Sequence, residues 1–164
     1  MASPIEIREA GKADREVLLR FHRDLYQSHR DEVVGDTVRP LIAYRDYDRV
    51  LEADVDALLE DRACQVLLAT HHGNEVGYIS GRAQIESERV LTRRATVEDW
   101  YVQAGHRGTG IGRALLSALE SRFQAMGCEV LESGTWASNR VARTAHDALG
   151  FEEVRIVFRK RLGQ

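Results

Sequence analysis

Lysine is nearly missing from this chain: its positive charge is carried by arginine except at Lys12 and Lys160, a compositional preference with no functional signal of its own. Cysteine is scarce as well. Cys64 and Cys128 stand far apart, each inside an apolar segment, which does not read as a disulfide framework or a zinc knuckle and stands either as two buried thiols or as a nucleophilic cysteine. No apolar run approaches the roughly 20 residues that span a bilayer, and Met1 to Ile7 lacks a basic region followed by an apolar core. A cytoplasmic protein without membrane association is therefore expected. An excess of charge of one sign is absent too: 30% of residues are charged and the net is −3, which argues against a nucleic-acid partner. His71-His72 has no third ligand at helical or strand spacing, so no metal is expected. What remains, 164 residues with 43% hydrophobic content, suits one globular domain spanning 1–164.

Along the chain, Ile5 and Ile7 before Gly11 predict a short strand, and Asp14 a cap for the helix that follows, with Val17, Leu18, Phe21, Leu25 and Tyr26 on one face. Residues 29–45 lose that period and read as a loop, and Val50, Val55, Leu58 and Leu59 support a second helix. Val66 to Ala69, the turn His72-Gly73-Asn74-Glu75 and Val76 to Ser80 form a hairpin. Val90 to Val102 reads as a long strand. A helix with Ile111, Leu115, Leu119 and Phe123 on one face follows and ends at Met126-Gly127. Cys128 to Leu131 starts another strand, Ser138 or Asn139 opens a last helix closed by Gly150, and Phe151 to Leu162 reads as a terminal strand. The order β-α-α-β-β-β-α-β-α-β predicts an α/β fold with one central, mostly antiparallel mixed sheet flanked by helices.

Between the long strand and its helix lies Tyr101-Val102-Gln103-Ala104-Gly105-His106-Arg107-Gly108-Thr109-Gly110-Ile111-Gly112-Arg113. Clustered glycines leave backbone N–H groups uncovered, and the helix start adds unpaired donors and a positive dipole end. A diphosphate suits such a cradle. The spacing Arg107-x-x-Gly110-x-Gly112 is neither a Walker loop nor a dinucleotide fingerprint. It resembles the acyl-CoA loop of the GNAT N-acetyltransferases, and the later Asn139-Arg140-Val141-Ala142 with Leu149-Gly150-Phe151 extends the likeness over essentially the whole chain.

The resemblance implies a GNAT fold whose splayed strands bind acetyl-CoA. Backbone groups of Tyr101 and Val102 would hold the pantetheine arm as an added strand, and N–H groups of Arg107, Gly108, Thr109, Gly110, Ile111, Gly112 and Arg113 would hold the pyrophosphate. Asn139 would contact the cofactor arm. GNAT domains often dimerise through terminal strands, so a second copy of the chain is an implied partner. The last third is similar to aminoglycoside 6′-N-acetyltransferases, although Gly134 stands where those enzymes usually place an aspartate near the amine site. The acceptor pocket of such proteins corresponds to residues 29–62, where Asp31, Glu32, Asp36, Asp46, Asp48, Glu52, Asp54 and Asp56 offer either an acidic wall or solvated charges.

Acetyl transfer from a thioester to an amine needs a neutral amine and a stabilised thiolate, and a carboxylate is a suitable base for an ammonium of pKa about 10. Glu98 and Asp99 fit this role; strand alternation lets only one of them face the acceptor, and Glu98 is preferred. His146 occupies the place where many members carry a tyrosine that protonates the coenzyme A thiolate, and it stands either as that acid or as a structural helix residue. The backbone N–H of Val102 would polarise the thioester oxygen. The reading is an N-acetyltransferase moving acetyl from acetyl-CoA to a primary amine, of an aminoglycoside or polyamine. A protein N-terminus or lysine is the competing acceptor class, and a non-catalytic acyl-CoA-binding domain is the rival function.

Overall fold

The computed structural model of the protein describes residues 4–163, so Met1-Ala2-Ser3 of the opening segment lies outside the described residues. Residues up to Gly134 form one compact unit, and residues from Thr135 form a second.

The first unit is built on a five-stranded sheet in the order β1 (Glu6–Glu9), β2 (Cys64–His71), β3 (Asn74–Ile85), β4 (Arg93–Val102) and β5 (Val130–Ser133). Neighbours run antiparallel except β4 and β5, which are parallel. The β2–β3 connection is the two-residue turn His72-Gly73, with φ of 53° and 76°. Positive φ at both central positions matches the right-handed twist of the flanking strands, which is why a glycine is found there.

Helix α1 (Arg15–Ser28), α2 (Arg39–Ile42) and α3 (Tyr47–Glu60) precede the hairpin. The apolar stripe of α1 and that of α3 meet one face of the sheet, burying Leu18, Phe21, Leu51 and Val55 against Leu68 and Tyr78. Each such side chain contributes about 1.5–3 kcal/mol on burial. Helix α4 (Ile111–Ala125) covers the other face with Ile111, Leu115, Leu119 and Phe123. It ends as the glycine predicts, with Gly127 at φ 79°. On β3 a Cβ at Gly81 would lie 2.9 Å from the Phe123 ring, so the absence of a side chain sets how closely α4 approaches.

Three sequence expectations change. Residues 29–45 are not a plain loop: α1 runs on as one π-helical turn, His29–Val33, and Pro40 sits in the first turn of the short α2. Proline is tolerated there because that N–H has no helical partner. The long strand begins at Arg93, not Val90, because the preceding residues turn back, with Glu86 N–H donating to Thr92 C=O at 2.8 Å. In the second unit, α5 (Arg140–Ala148) forms as expected, but residues 151–163 carry neither helix nor strand. That run has strand composition; among the described residues no ladder is assigned to it, and Val154 and Phe158 stay exposed. A β-propensity expresses packing against neighbours and does not by itself make a strand. Among the described residues no helix is long and apolar enough to cross a membrane.

Candidate active site

The β4–β5 ladder ends at Val97↔Ser133, while β4 continues beside β3 to Gly77↔Val102. The final residues of β4 thus run past the end of β5 into the glycine loop. Their approach to β3 is tight: a Cβ at Gly77 would fall 2.5 Å from the carbonyl oxygen of Tyr101. After Val102 the chain makes a 3₁₀ turn at Ala104–His106, and Thr109 closes it by donating Oγ1–H to the His106 carbonyl at 2.6 Å. Gly108 and Gly110 adopt φ of 75° and 90°, and Gly110 caps α4. The first bond within α4 runs from Ala114 N–H to Gly110 C=O, so N–H groups of Ile111, Gly112 and Arg113 have no partner within the helix. At Gly112 a Cβ would lie 3.5 Å from the Trp100 indole nitrogen, so the helix start rests close against β4.

This loop fits an anionic ligand with a diphosphate: left-handed glycines and an open helix start present backbone donors to one exposed region. Tyr101 is buried, and its hydroxyl donates to Asp24 at 3.3 Å. The Arg107 side chain turns back, Nε donating to the Val102 carbonyl at 2.9 Å, which ties the loop to the strand end.

On the face covered by α1 and α3, a cleft of ≈ 390 Å³ is bordered by His22, Tyr44, Asp54, Arg82, Glu98 and Asp99. Both β4 carboxylates border it, against the expectation from strict alternation. The register explains why: Ser80 pairs Asp99 while Gly81 pairs Val97, so Glu98 is an extra residue on β4 and the strand bulges there. A bulge places two residues opposite one and re-aims the side chains.

The two carboxylates differ in setting. Glu98 accepts from Arg82 Nε at 3.0 Å, and Arg82 also pairs with Asp61. Asp99 is the deeper group, accepting from Ser80 Oγ at 3.0 Å. Its pKa is raised: burial dominates, partly offset by the nearby His22 and by the Ser80 hydrogen bond. Tyr78 lies beneath, and burial together with the charge of Asp99 pushes its phenol well above the usual range.

His22 escaped the sequence reading. It follows Phe21 on α1, at the margin of the apolar stripe, a position that signals nothing until β4 is brought beside it. Its Nε2 lies 3.9 Å from Asp99 Oδ1, and its Nδ1 lies 3.2 Å from the Tyr47 hydroxyl. Burial raises the Tyr47 phenol, which therefore stays protonated.

Of the acidic residues of segment 29–62, Asp54 borders the cleft. Others are engaged elsewhere: Asp31 with Arg30, Asp36 with Arg39, Asp48 with Arg23 and Asp56 with Arg15, while Asp46 caps α3. In the second unit, Asn139 caps α5, its Oδ1 accepting from Ala142 N–H at 3.1 Å. His146 Nδ1 donates to the Ala142 carbonyl at 2.7 Å, and its ring meets Phe151 edge-on at 5.2 Å. No group of three or more His, Cys, Asp or Glu side chains suited to a metal ion occurs among the described residues.

Comparison with known proteins bears on this arrangement. The model of the acetyltransferase (GNAT) family matches residues 22–151. An aminoglycoside N(6′)-acetyltransferase type 1 of Stenotrophomonas maltophilia is 33% identical over 120 residues, 69% of this chain and 76% of that protein. The L-methionine sulfoximine/L-methionine sulfone acetyltransferase of Pseudomonas aeruginosa is 33% identical over 151 residues, 89% of this chain and 79% of its own length. The solved structure of aminoglycoside N-acetyltransferase AAC(6′)-Iy in complex with CoA aligns with a TM-score of 0.77 at 20% identity, covering 99% of this chain and 98% of that one. At that identity the likeness speaks for the fold.

Proposed function

Given that the chain belongs to the acetyltransferase (GNAT) family, we propose that it transfers the acetyl group of acetyl-CoA to the primary amine of a small cationic molecule, by direct attack in a ternary complex. The observation that carries this reading is the single strand β4, which joins a buried carboxylate, Asp99, to the glycine loop a few residues on. The diphosphate of acetyl-CoA suits the N–H groups from Gly108 to Arg113, the Arg107 N–H being held by the Ala104 carbonyl at 3.3 Å, and the pantetheine arm suits the edge of β4 at Tyr101 and Val102.

In this scheme Asp99 takes the proton of the bound ammonium. A carboxylate with a raised pKa is a stronger base than an exposed one, and its bond from Ser80 fixes which oxygen faces the amine. The neutral amine then attacks the thioester carbon, whose oxygen takes a hydrogen bond from Val102 N–H. Collapse of the adduct breaks the C–S bond, and the departing thiolate takes up one proton. Glu98, held by Arg82, and Asp54 supply negative potential that draws a cationic acceptor into the cleft.

Free-thiol release from acetyl-CoA, measured across aminoglycosides, polyamines, amino-acid amines and short peptides, tests the proposal. Turnover with a multiply charged small amine that weakens as salt is added supports it. Thermal stabilisation by acetyl-CoA with no turnover, or turnover only with peptides, counts against it.

A further inference from the structure

We propose that His22 is a second proton acceptor in the acceptor cleft, set with Asp99 around the reacting nitrogen. The inference rests on the reading of that cleft as the amine site. The Nε2–Oδ1 separation of 3.9 Å is too long for a direct hydrogen bond and leaves room for one donor that bonds both atoms at once. An ammonium is such a donor, with N–H groups to spare for each.

The proposal selects one tautomer of His22. Tyr47 has one hydroxyl proton, and its oxygen lies 3.4 Å from the His22 carbonyl and 3.2 Å from His22 Nδ1. When the hydroxyl donates to the carbonyl, Nδ1 must be the donor in the other contact, so its proton sits on Nδ1 and the lone pair on Nε2. In that arrangement the lone pair faces Asp99 and the cleft, whereas a hydroxyl donating to Nδ1 would put the proton on Nε2. A histidine serving only as a partner of Asp99 would be expected at hydrogen-bond distance from it.

N-acetylation removes two protons from an ammonium, which gives two acceptors separate tasks. Asp99 takes the first, breaking one N–H bond and freeing the lone pair for attack. The tetrahedral adduct still carries a cationic nitrogen, and Nε2 takes its second proton as the C–S bond breaks. The third hydrogen stays on the amide. The thiolate gains one proton, and His22 and Asp99 return theirs to solvent through the open cleft, for a net release of one. Around the pair stand Tyr47 and Asp54 from α3, Tyr78, Ser80 and Arg82 from β3, and Glu98 from β4. Arg82 is engaged by Glu98 and Asp61, so acids outnumber the cations that face His22.

The experiment is steady-state acetyl transfer to kanamycin A and to spermidine across pH, with wild type, His22→Gln, His22→Ala and Asp99→Asn. Ring ¹³C shifts of His22 in the full-length protein are read alongside, and acetyl-CoA-dependent thermal stabilisation confirms that each variant folds. We expect kcat to fall on the order of 10²-fold in His22→Gln with KM for acetyl-CoA unchanged. The pH profile of kcat/KM should move, because one of the two proton acceptors is gone. Added imidazole should restore part of the His22→Ala rate, and the ring shifts should report the Nδ1–H tautomer. A rate within about threefold of wild type, a lowered rate with an unmoved pH profile and no rescue, or the Nε2–H tautomer overturns the proposal. Full activity in Asp99→Asn beside an impaired His22→Gln would instead remove Asp99 as the first base and leave His22 as the acceptor.

Discussion

Ser80 donates its hydroxyl to Asp99 at 3.0 Å from a position with no solvent exposure, on the strand opposite the bulge that turns Asp99 toward the cleft. The bond holds one carboxylate oxygen and favours its charged form against a burial that opposes it.

Ser80→Ala removes that support, so the proton affinity of Asp99 rises further. The acid limb of the pH–rate profile should shift to higher pH, and urea unfolding should show a loss of about 1–2 kcal/mol for the broken buried hydrogen bond. An unshifted profile would show that Asp99 does not control the rate.

Asp99→Asn should separate stability from activity. The folded pKa of Asp99 is raised, so its carboxylate opposes folding, and stability falls as pH rises from the unfolded carboxylate value through the folded one. Asparagine lacks this charge and still accepts from Ser80. The variant should melt higher than wild type at neutral pH while kcat drops by roughly 10²–10⁴-fold. Calorimetry at acid and neutral pH checks the sign, because the gain should vanish in acid.

Gly77→Ala places a methyl where the Tyr101 carbonyl oxygen lies 2.5 Å away, and that neighbour is backbone. The strands must separate, at a cost of about 1–3 kcal/mol. Since Tyr101 and Val102 are the proposed pantetheine edge, acetyl-CoA affinity should weaken as well. Calorimetric titration with acetyl-CoA measures that loss; intact affinity would dissociate this edge from the cofactor.

Gly110→Asp should abolish acetyl-CoA binding, whereas Gly110→Ala should only weaken it. Both pay for a side chain at φ 90°, about 1–2 kcal/mol, and the aspartate adds a negative charge at the proposed diphosphate site. Equal thermal shifts by acetyl-CoA in the two variants would argue against a diphosphate at this loop.

Helices α1, α3, α4 and α5 were legible because amphipathic spacing and end signals such as Gly127 and Gly150 are local. The hairpin at His72-Gly73 was legible because two residues must adopt positive φ. The terminal strand expected over Phe151 to Leu162 does not form, since a strand is completed by its neighbours and not by its own composition. The site divided along the same line. Arg107 to Arg113, with Glu98 and Asp99, were read from contiguous sequence. His22, Ser80 and Tyr47 come from three elements distant in the chain, and no spacing connects them to Asp99.

The sequence by itself determined most of the helices, the hairpin, the glycine loop and the kind of chemistry the chain belongs to, because dihedral demands and periodicity act over a few residues. Tertiary structure alone decided which side chains meet. Strict alternation would send Glu98 and Asp99 to opposite faces, and a one-residue bulge set by pairing with β3 turns both to the cleft. The same packing buries Asp99, raises its proton affinity and brings His22 to 3.9 Å, properties of an environment that the sequence only encodes at a distance.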